Sequence, residues 1–278
     1  MTAWAVLIAV VCAPAVARAA AGQRADKALW EVGVIGGGGL IPDYPAASET
    51  QTTGIGSPYL LYRGKVWRVG DDSIVSGRLA HKRDWAFDIS LDGSFPADSK
   101  HNKARKGMPD LDWLGEIGPR FQYTILRAAR DAKIDFELPV RSVFSVKLKD
   151  LDFRGLIAAP RIAYQHENFF ATDLEFKISF GGNFGTTALA NYFYRVPAGF
   201  STPSRPLYKA RGGYFGSSLN LGITRPITPK LKLYLLGVAN FHYGAANDNS
   251  PLFRDKMTFG IGGAVRWSFY QSAKRAYH

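Results

Sequence analysis

Cysteine is almost absent from this chain. Its 278 residues contain one cysteine, Cys12, which lies in an apolar leader at the N-terminus. We therefore expect no disulfide framework, no cysteine-based metal site and no cysteine nucleophile in the mature protein. Histidine is scarce too, with five in the chain, and no spacing of His, Asp and Glu is typical of a metal site. We expect neither a metal nor another cofactor.

Long apolar runs are missing after the leader. Residues 1–20 contain an apolar stretch followed by Ala17-Arg18-Ala19, a pattern typical of a secretory signal peptide. Beyond Ala20 no run reaches the roughly 18 apolar residues that a membrane-spanning helix needs. The sequence therefore predicts an exported protein without membrane-spanning helices, in which residues 21–278 form a single domain.

What the chain does have is alternation of apolar and polar residues. The stretch D-W-A-F-D-I-S-L-D-G-S-F at 84–95 places apolar residues on one face and polar residues on the other. A period of two indicates a β-strand, and about 11 residues are enough to cross a bilayer when the strand is tilted. Strands of soluble sandwiches, the alternative reading, are usually nearer 5–6 residues. Repetition of this pattern predicts an all-β, closed antiparallel transmembrane β-barrel of about 12 strands, within a range of 10–14.

The connections between the predicted strands differ in length. The longest run over residues 41–53, 96–112, 195–211 and 244–255, and each follows an odd-numbered predicted strand. Bacterial barrels have short periplasmic turns and long outer loops. We therefore expect these four to be outer loops, both termini to be periplasmic, and the barrel to occupy 28–269 with a C-terminal extension at 270–278. The least regular predicted strands lie within 66–80 and 133–148, and Thr186–Tyr194 is also predicted as a strand.

Six stretches of the chain resemble a known family. They are S-L-D-G-S-F-P-A-D-S at 90–99, K-G-M-P-D-L-D-W-L-G-E-I-G-P at 106–119, A-P-R at 159–161, Y-F-Y at 192–194, G-G-Y-F-G-S-S-L at 212–219 and G-A-A-N-D-N-S-P-L at 244–252. With them the chain resembles the MltA-interacting-protein / OmpV (MipA/OmpV) family of Gram-negative outer-membrane barrels. Members typically end near an aromatic strand terminus, which Phe269 matches, whereas this chain continues to His278.

The resemblance implies an outer-membrane protein that is not an enzyme. Some members of the family are described as scaffolds that join a lytic transglycosylase to a murein synthase, and others as porin-like or adhesive. We expect a scaffold for murein-remodelling enzymes at the cell envelope; the alternative is a small porin-like channel for small solutes or osmoadaptation. The formal charge of +12 suits contact with lipopolysaccharide, while export and the scatter of the charge argue against nucleic acid.

Charged residues at alternate strand positions predict an interior ion-pair network. All of them belong to the polar face of a predicted strand, and both signs are interleaved. They are Asp88, Asp92, Glu116, Arg120, Lys133, Asp135, Glu137, Arg141, Glu175 and Lys177. Such a network would fill much of the lumen and limit conductance; the alternative is a wet polar lumen with screened charges.

Basic residues near the short turns predict a periplasmic basic rim. They are Arg63, Lys65, Lys82, Arg83, Arg127, Arg130 and Lys230. The functional hypothesis is a docking surface for murein-acting partners through long-range attraction, and the alternative is ordinary solvated turn charge.

One pair of polar residues has the types found in some catalytic sites. His242 and Asn240 lie on the same face of a predicted strand, so a Ser–His–Asn site of lipase type is one reading. Ordinary polar residues of the lumen or its rim are the far commoner explanation of such a pair, and we expect no catalytic residue.

Overall fold

The computed structural model describes residues 28–63, 68–69, 76–81, 84–147 and 150–274. The predicted signal peptide lies outside the described residues. The strands are β1 Trp30–Pro42, β2 Thr50–Arg63, β3 Arg68–Val69, β4 Ser76–His81, β5 Trp85–Ser94, β6 Trp113–Ala129, β7 Ala132–Val146, β8 Leu151–Ala158, β9 Arg161–His166, β10 Glu175–Gly185, β11 Gly213–Thr228, β12 Leu231–Phe241 and β13 Met257–Gln271. One α-helix, α1, spans Thr187–Tyr194, and short 3-10 turns occupy Phe169–Ala171 and Ala198–Phe200.

All thirteen strand segments belong to one antiparallel sheet. Its order is β3-β2-β1-β13-β12-β11-β10-β8-β7-β6-β5-β4, and β9 pairs with both β10 and β7. Segments β8 and β9 are therefore two halves of one strand. Counting them together and setting aside the two-residue β3 gives eleven strands among the described residues. The predicted all-β antiparallel class is confirmed, and the count is close to the predicted 12.

The two faces of the sheet differ in polarity, as the period of two requires. On the outer face, large apolar side chains such as Ile117, Leu235 and Ile261 are exposed, by 48%, 59% and 65%. On the inner face, Arg120 and Glu137 are buried. The sheet thus has its apolar residues on the outside and its charges on the inside.

The structure corrects the prediction of a strand at Thr186–Tyr194, which is helix α1. Its buried residues are Leu189, Ala190, Phe193 and Tyr194, a spacing that forms one face of a helix rather than of a strand. Gly155 in β8 lets the helix approach, since it adopts a φ of +126° and its missing side chain would meet Leu189. In the described residues, no helix has both the length and the apolar character needed to cross a membrane.

One further detail of the strand prediction is wrong. Residues 133–148 do not form a strand and its return but belong largely to the continuous β7, because Val143 interrupts the alternation by facing inward. A break at Ala159–Pro160 separates β8 from β9, because proline lacks the amide hydrogen of the ladder. The glycine run at 36–39 in β1 stays in register with β2 and β13.

Four long connections lie at the same end of the sheet. They run over 43–49, 95–112, 186–212 and 242–256, and follow β1, β5, β10 and β12. Because antiparallel strands reverse direction at each step and β8 with β9 counts as one, these four strands run the same way. The predicted grouping of the long connections on one side is therefore present, although α1 lengthens the third.

Candidate functional site

The inner face of the sheet carries an ion-pair network centred on Glu137 of β7. Its side chain is 2% exposed and accepts hydrogen bonds from Arg161 Nε at 2.6 Å and from Lys177 Nζ at 2.9 Å. Ion-paired, multiply hydrogen-bonded carboxylates are stable in an interior, whereas an isolated buried charge is not. Since two cations meet one carboxylate, this cluster carries one surplus positive charge.

Two more clusters continue the network toward the end of the sheet that carries the four long connections. Arg120 donates from Nε and Nη2 to the two carboxylate oxygens of Asp88, both at 2.9 Å. Arg141 donates to Glu116 at 2.8 Å and to Asp92 at 3.0 Å. The second cluster has two carboxylates for one guanidinium, so its surplus charge is negative.

The remaining predicted residues also have partners. Asp135 accepts from Lys133 Nζ at 2.9 Å and from Gln122 and Thr124 at 2.8 Å each. Glu175 lies 4.0 Å from Lys232 Nζ. The structure therefore places every member of the predicted set of ten in an ion pair. Arg161 and Lys232 complete these pairs although the prediction left them out, and their alternate strand positions were the available signal.

The predicted basic rim needs one correction, at Arg63. Its side chain is 2% exposed, and it donates to Glu31 Oε1 at 2.9 Å and to Ala28 O at 2.8 Å. Arg63 ends β2 on the inner face, where Arg266 also approaches Glu31, at 3.8 Å. It therefore belongs to a second interior cluster of two cations and one carboxylate, and not to a solvated rim.

The rest of the rim is only partly described. Arg127 is exposed and lies 3.3 Å from Asp84, while Arg130 and Lys230 are exposed at the turns after β6 and β11. The predicted rim residues Lys65, Lys82 and Arg83 lie outside the described residues. Three basic side chains thus stand at the end of the sheet opposite the four long connections.

The four long connections pack into one body, which we call the cap (43–49, 95–112, 186–212 and 242–256). Its core combines apolar residues of the cap with three inner-face residues of the sheet, Leu114, Val143 and Phe215. The cap residues of this core are Tyr44, Ala47, Ala97, Leu111, Leu189, Ala190, Phe193, Tyr194 and Ala210. The cap therefore covers the inner face at its end of the sheet.

Hydrogen bonds between connections hold the cap closed. The Tyr44 hydroxyl donates to Leu252 O at 2.7 Å, and the Tyr194 hydroxyl donates to Pro45 O at 3.1 Å. Burial raises the pKa of both hydroxyls, which keeps them protonated and able to donate. The first, third and fourth connections are joined in this way.

Two arginines tie the second connection to the others. Arg105 is 4% exposed, donates to Phe193 O at 3.2 Å and lies over the Tyr44 ring at 5.7 Å. Burial lowers the pKa of Arg105, although a guanidinium stays charged in proteins. Arg205 donates to Ala104 O at 3.0 Å and to Lys106 O at 2.9 Å. Both arginines bind backbone carbonyl oxygens, so their role in the cap is to fix loop geometry.

His242 joins the cap to the sheet. Its Nδ1 lies 2.8 Å from Phe215 O, and its Nε2 lies 3.2 Å from the amide nitrogen of Ala46. A carbonyl requires hydrogen on Nδ1 and an amide N–H requires a lone pair on Nε2, so the ring is neutral. Burial lowers the pKa of His242 and favours this neutral form. Asn240 bonds instead to Ser218 at 2.7 Å, so the two residues are not assembled into a Ser–His–Asn relay.

Three of the motifs that carry the family resemblance are distant in sequence and meet in the cap. Y-F-Y at 192–194 lies in α1, and Ser250 of the last motif donates to Tyr194 O at 2.8 Å. Tyr192 accepts a hydrogen bond from the backbone of Asp112, in the second motif, at 2.7 Å. The family model described as MltA-interacting protein MipA matches residues 33–269. The chain belongs to this family.

Comparison with solved structures adds two distant likenesses to this MipA-family chain. One is described as "NanC porin structure in rhombohedral crystal form": identity is 10%, coverage is 84% of this chain and 98% of the other, and the TM-score is 0.39. The other is described as "Bacterial polysaccharide outer membrane secretin", with 10% identity, coverage of 87% and 99%, and a TM-score of 0.40. No curated protein sequence matches the chain.

No cluster of three or more His, Cys, Asp or Glu side chains suited to a metal ion occurs in the described residues. The arrangement that the structure does offer is a charged inner face beneath a tightly packed cap.

Proposed function

We propose that this protein is a non-enzymatic outer-membrane β-barrel that acts as a scaffold for murein-remodelling enzymes at the cell envelope. Membership of the family described as MltA-interacting protein MipA supports a partner of that kind. The exposed apolar outer face supports a lipid environment, since it would be costly to hydrate so many large apolar side chains in water. Residues 1–20 would act as the export signal, and 21–278 as one domain.

Closure of the barrel is part of this proposal. The two edges of the sheet are β3 and β4, which are consecutive in the chain, and Cα atoms of the two come within 8 Å of each other. An open sheet edge cannot satisfy its backbone hydrogen-bonding groups in lipid. Pairing of β3 with β4 would give twelve strands, the eleven counted above and β3.

The packed cap is the observation that favours a scaffold over a pore. Its apolar core includes Leu189 and Tyr194, which are 2% and 1% exposed, and covers the inner face at one end of the sheet. With the cap outward and the termini in the periplasm, long-range attraction from Arg127, Arg130 and Lys230 would favour acidic periplasmic partners. Lipopolysaccharide would contact the cap, where Lys100, Lys103 and Lys106 are exposed.

Capture of a periplasmic lytic transglycosylase tests the scaffold. We expect the wild-type protein in lipid nanodiscs to retain the enzyme, and the triple reversal Arg127→Glu, Arg130→Glu, Lys230→Glu to weaken retention in a salt-sensitive way. The matched control reverses the same number of charges at the other end, Lys100→Glu, Lys103→Glu, Lys106→Glu, and should retain the enzyme as the wild type does. Equal capture by both triple variants would contradict docking at the turns.

A small porin-like channel is the second candidate, and one observation favours it. The inner-face side chain of Leu236 is 55% exposed, so the inner face is not filled everywhere. Conductance in planar bilayers separates the two functions. The capped scaffold should give no steady openings, whereas large steady openings would establish the channel.

A further inference from the structure

The inner face has two unlike walls. The charged wall lies on β5–β7, β9 and β10 and carries the ion pairs of Asp88, Glu137 and Arg141. The other wall lies on the middle part of β1, β2, β12 and β13, next to the interior cluster of Arg63, Glu31 and Arg266, and we call it the apolar wall. It consists of the inner-face residues Ile35, Gly37, Gly39, Ile55, Leu236, Val238, Gly260 and Gly262. In the order of the sheet, β1 and β13 stand half a circuit away from β6 and β7.

Register establishes that the apolar wall and the ion pairs share one face. Lys177 is paired with Gly222, Gly222 with Leu236, and Leu236 with Gly262. Residues that are directly paired in an antiparallel sheet point to the same side. Leu236 therefore points to the same side as Lys177, whose Nζ contacts Glu137.

The apolar wall faces open space. Leu236 is 55% exposed and Ile55 is 54% exposed, although both lie on the inner face. The reason at Leu236 is local, since its paired neighbours on both adjacent strands are glycines and provide no side chain to cover it. An apolar surface of this kind, inside a protein, favours contact with an apolar group of a ligand.

The border of this wall carries surplus positive charge. Lys177 lies two strands from Leu236, roughly 10 Å away at the usual strand spacing, and its side chain is 41% exposed. It shares Glu137 with Arg161, so the carboxylate neutralises only one of the two cations. A ligand with an anionic group at Lys177 and an apolar body over Leu236 would match both features.

We propose that the interior between the apolar wall and Lys177 is a binding site for an amphipathic anion, such as a medium-chain carboxylate. The site rests on the proposed closure of the barrel, which brings the two walls face to face. It is independent of the scaffold role, because it lies on the inner face and not at the turns.

Single-cysteine variants of the protein, made in a chain that carries Cys12→Ser and reconstituted in liposomes, test this site. Leu236→Cys reports on the inner face, and Leu235→Cys, the next residue, reports on the outer face. Two membrane-impermeant methanethiosulfonate reagents, one anionic and one cationic, are compared after normalisation to free cysteine. We expect only Leu236→Cys to react, and the anionic reagent to react about fivefold faster because of the surplus positive charge. Adding Lys177→Gln should reduce this preference.

Protection then identifies the ligand class. Octanoate should slow the labelling of Leu236→Cys, whereas acetate, which lacks the apolar body, and octyltrimethylammonium, which has the opposite charge, should not. No labelling of Leu236→Cys, or equal protection by octanoate and octyltrimethylammonium, would overturn the proposed site. Equal labelling of Leu235→Cys and Leu236→Cys has a different meaning, because it would show water on both faces and so contradict closure of the barrel.

Discussion

The sheet and the cap of this protein are built in opposite ways. In the sheet, apolar side chains such as Ile261 are exposed on the outer face, and charges such as Glu137 are buried on the inner face. In the cap, Leu189 and Tyr194 are buried, and lysines such as Lys103 are exposed. The cap thus follows the rule for a protein in water, and the sheet follows the rule for a protein surrounded by lipid.

This difference separates the sources of stability in the two regions. The stability of the sheet depends on its backbone hydrogen bonds and on the pairing of interior charges. The hydrophobic effect contributes little there, because the apolar outer face is surrounded by lipid and not by water. The cap depends on the removal of apolar surface from water and on a few buried hydrogen bonds. Substitutions of each kind should therefore affect one region and leave the other largely unchanged.

The largest expected effect is in the sheet, at Glu137. Glu137→Gln removes a carboxylate that is 2% exposed and leaves Arg161 and Lys177, which are 26% and 41% exposed, without their shared partner. Breaking a fully buried pair by removing one partner typically costs about 3–5 kcal/mol, and the partial exposure of the two remaining cations places the expected loss at the lower end, about 3 kcal/mol. We expect a loss of that order in the free energy of unfolding, measured by urea titration in lipid vesicles.

The matched control is Glu175→Gln in β10. Glu175 is 41% exposed and lies 4.0 Å from Lys232, so its removal should cost less than about 1 kcal/mol. Similar losses for the two variants would mean that the inner face is hydrated throughout and that its ion pairs are screened.

The second effect is in the cap, at Leu189 of α1. Leu189→Ala removes a side chain that is 2% exposed in the apolar core, and such changes cost about 2–5 kcal/mol. Here the loss should be local, because the strands keep their ladder. We expect faster protease cleavage and amide hydrogen exchange within 186–212, with unchanged global unfolding.

Leu235→Ala is the control for that experiment, since Leu235 is 59% exposed on the outer face. It should leave exchange in the cap unchanged. If Leu189→Ala instead unfolded the whole protein, the cap and the sheet would be one cooperative unit, and the separation drawn above would be wrong.

The smallest expected effect concerns pH and His242, where cap and sheet meet. Burial lowers its pKa below the usual 6.5, so between the two values the unfolded state binds more protons than the folded state. Stability from this residue is complete above about pH 6.5 and is lost as the pH falls through that window. Protonation removes the lone pair that accepts from the Ala46 amide, so exchange of that amide should accelerate at lower pH.

His242→Gln gives the control, because an amide side chain does not titrate in this range. Its Ala46 exchange rate, corrected for the intrinsic effect of pH, should not change between pH 7.5 and 5.5. A pH dependence that survives in the variant would assign the effect to another group.

Much of the sheet followed from the sequence because one physical rule decides it. Strict alternation, as in β5 and β6, specifies both the strand and the face of each side chain, and so it indicated which charged residues share the inner face of the sheet. The rule failed at Val143 and at 187–194. At both places the apolar side chains pack in the core that the cap shares with the sheet. This packing involves residues far apart in the chain, so the local sequence pattern does not predict it.

Arg63 shows the same division from the polar side. Its position beside a short turn indicated a solvated rim, but its ion pair with Glu31 on the neighbouring strand β1 places it in the interior. Ion pairing between strands depends on their register, and the positions of charged residues near turns do not reveal that register.

The order of residues by itself determined the strands, their two faces and the grouping of the long connections at one end, because each depends on periodicity or chain direction. Only the tertiary structure decided that these connections share one apolar core, that Arg63 lies inside, and that an apolar surface on β1, β2, β12 and β13 accompanies the ion pairs of the inner face. Those features arise from contacts between residues far apart in the chain, such as Tyr44 with Leu252 and Arg105 with Phe193, and so they depend on how the strands and loops are brought together in space.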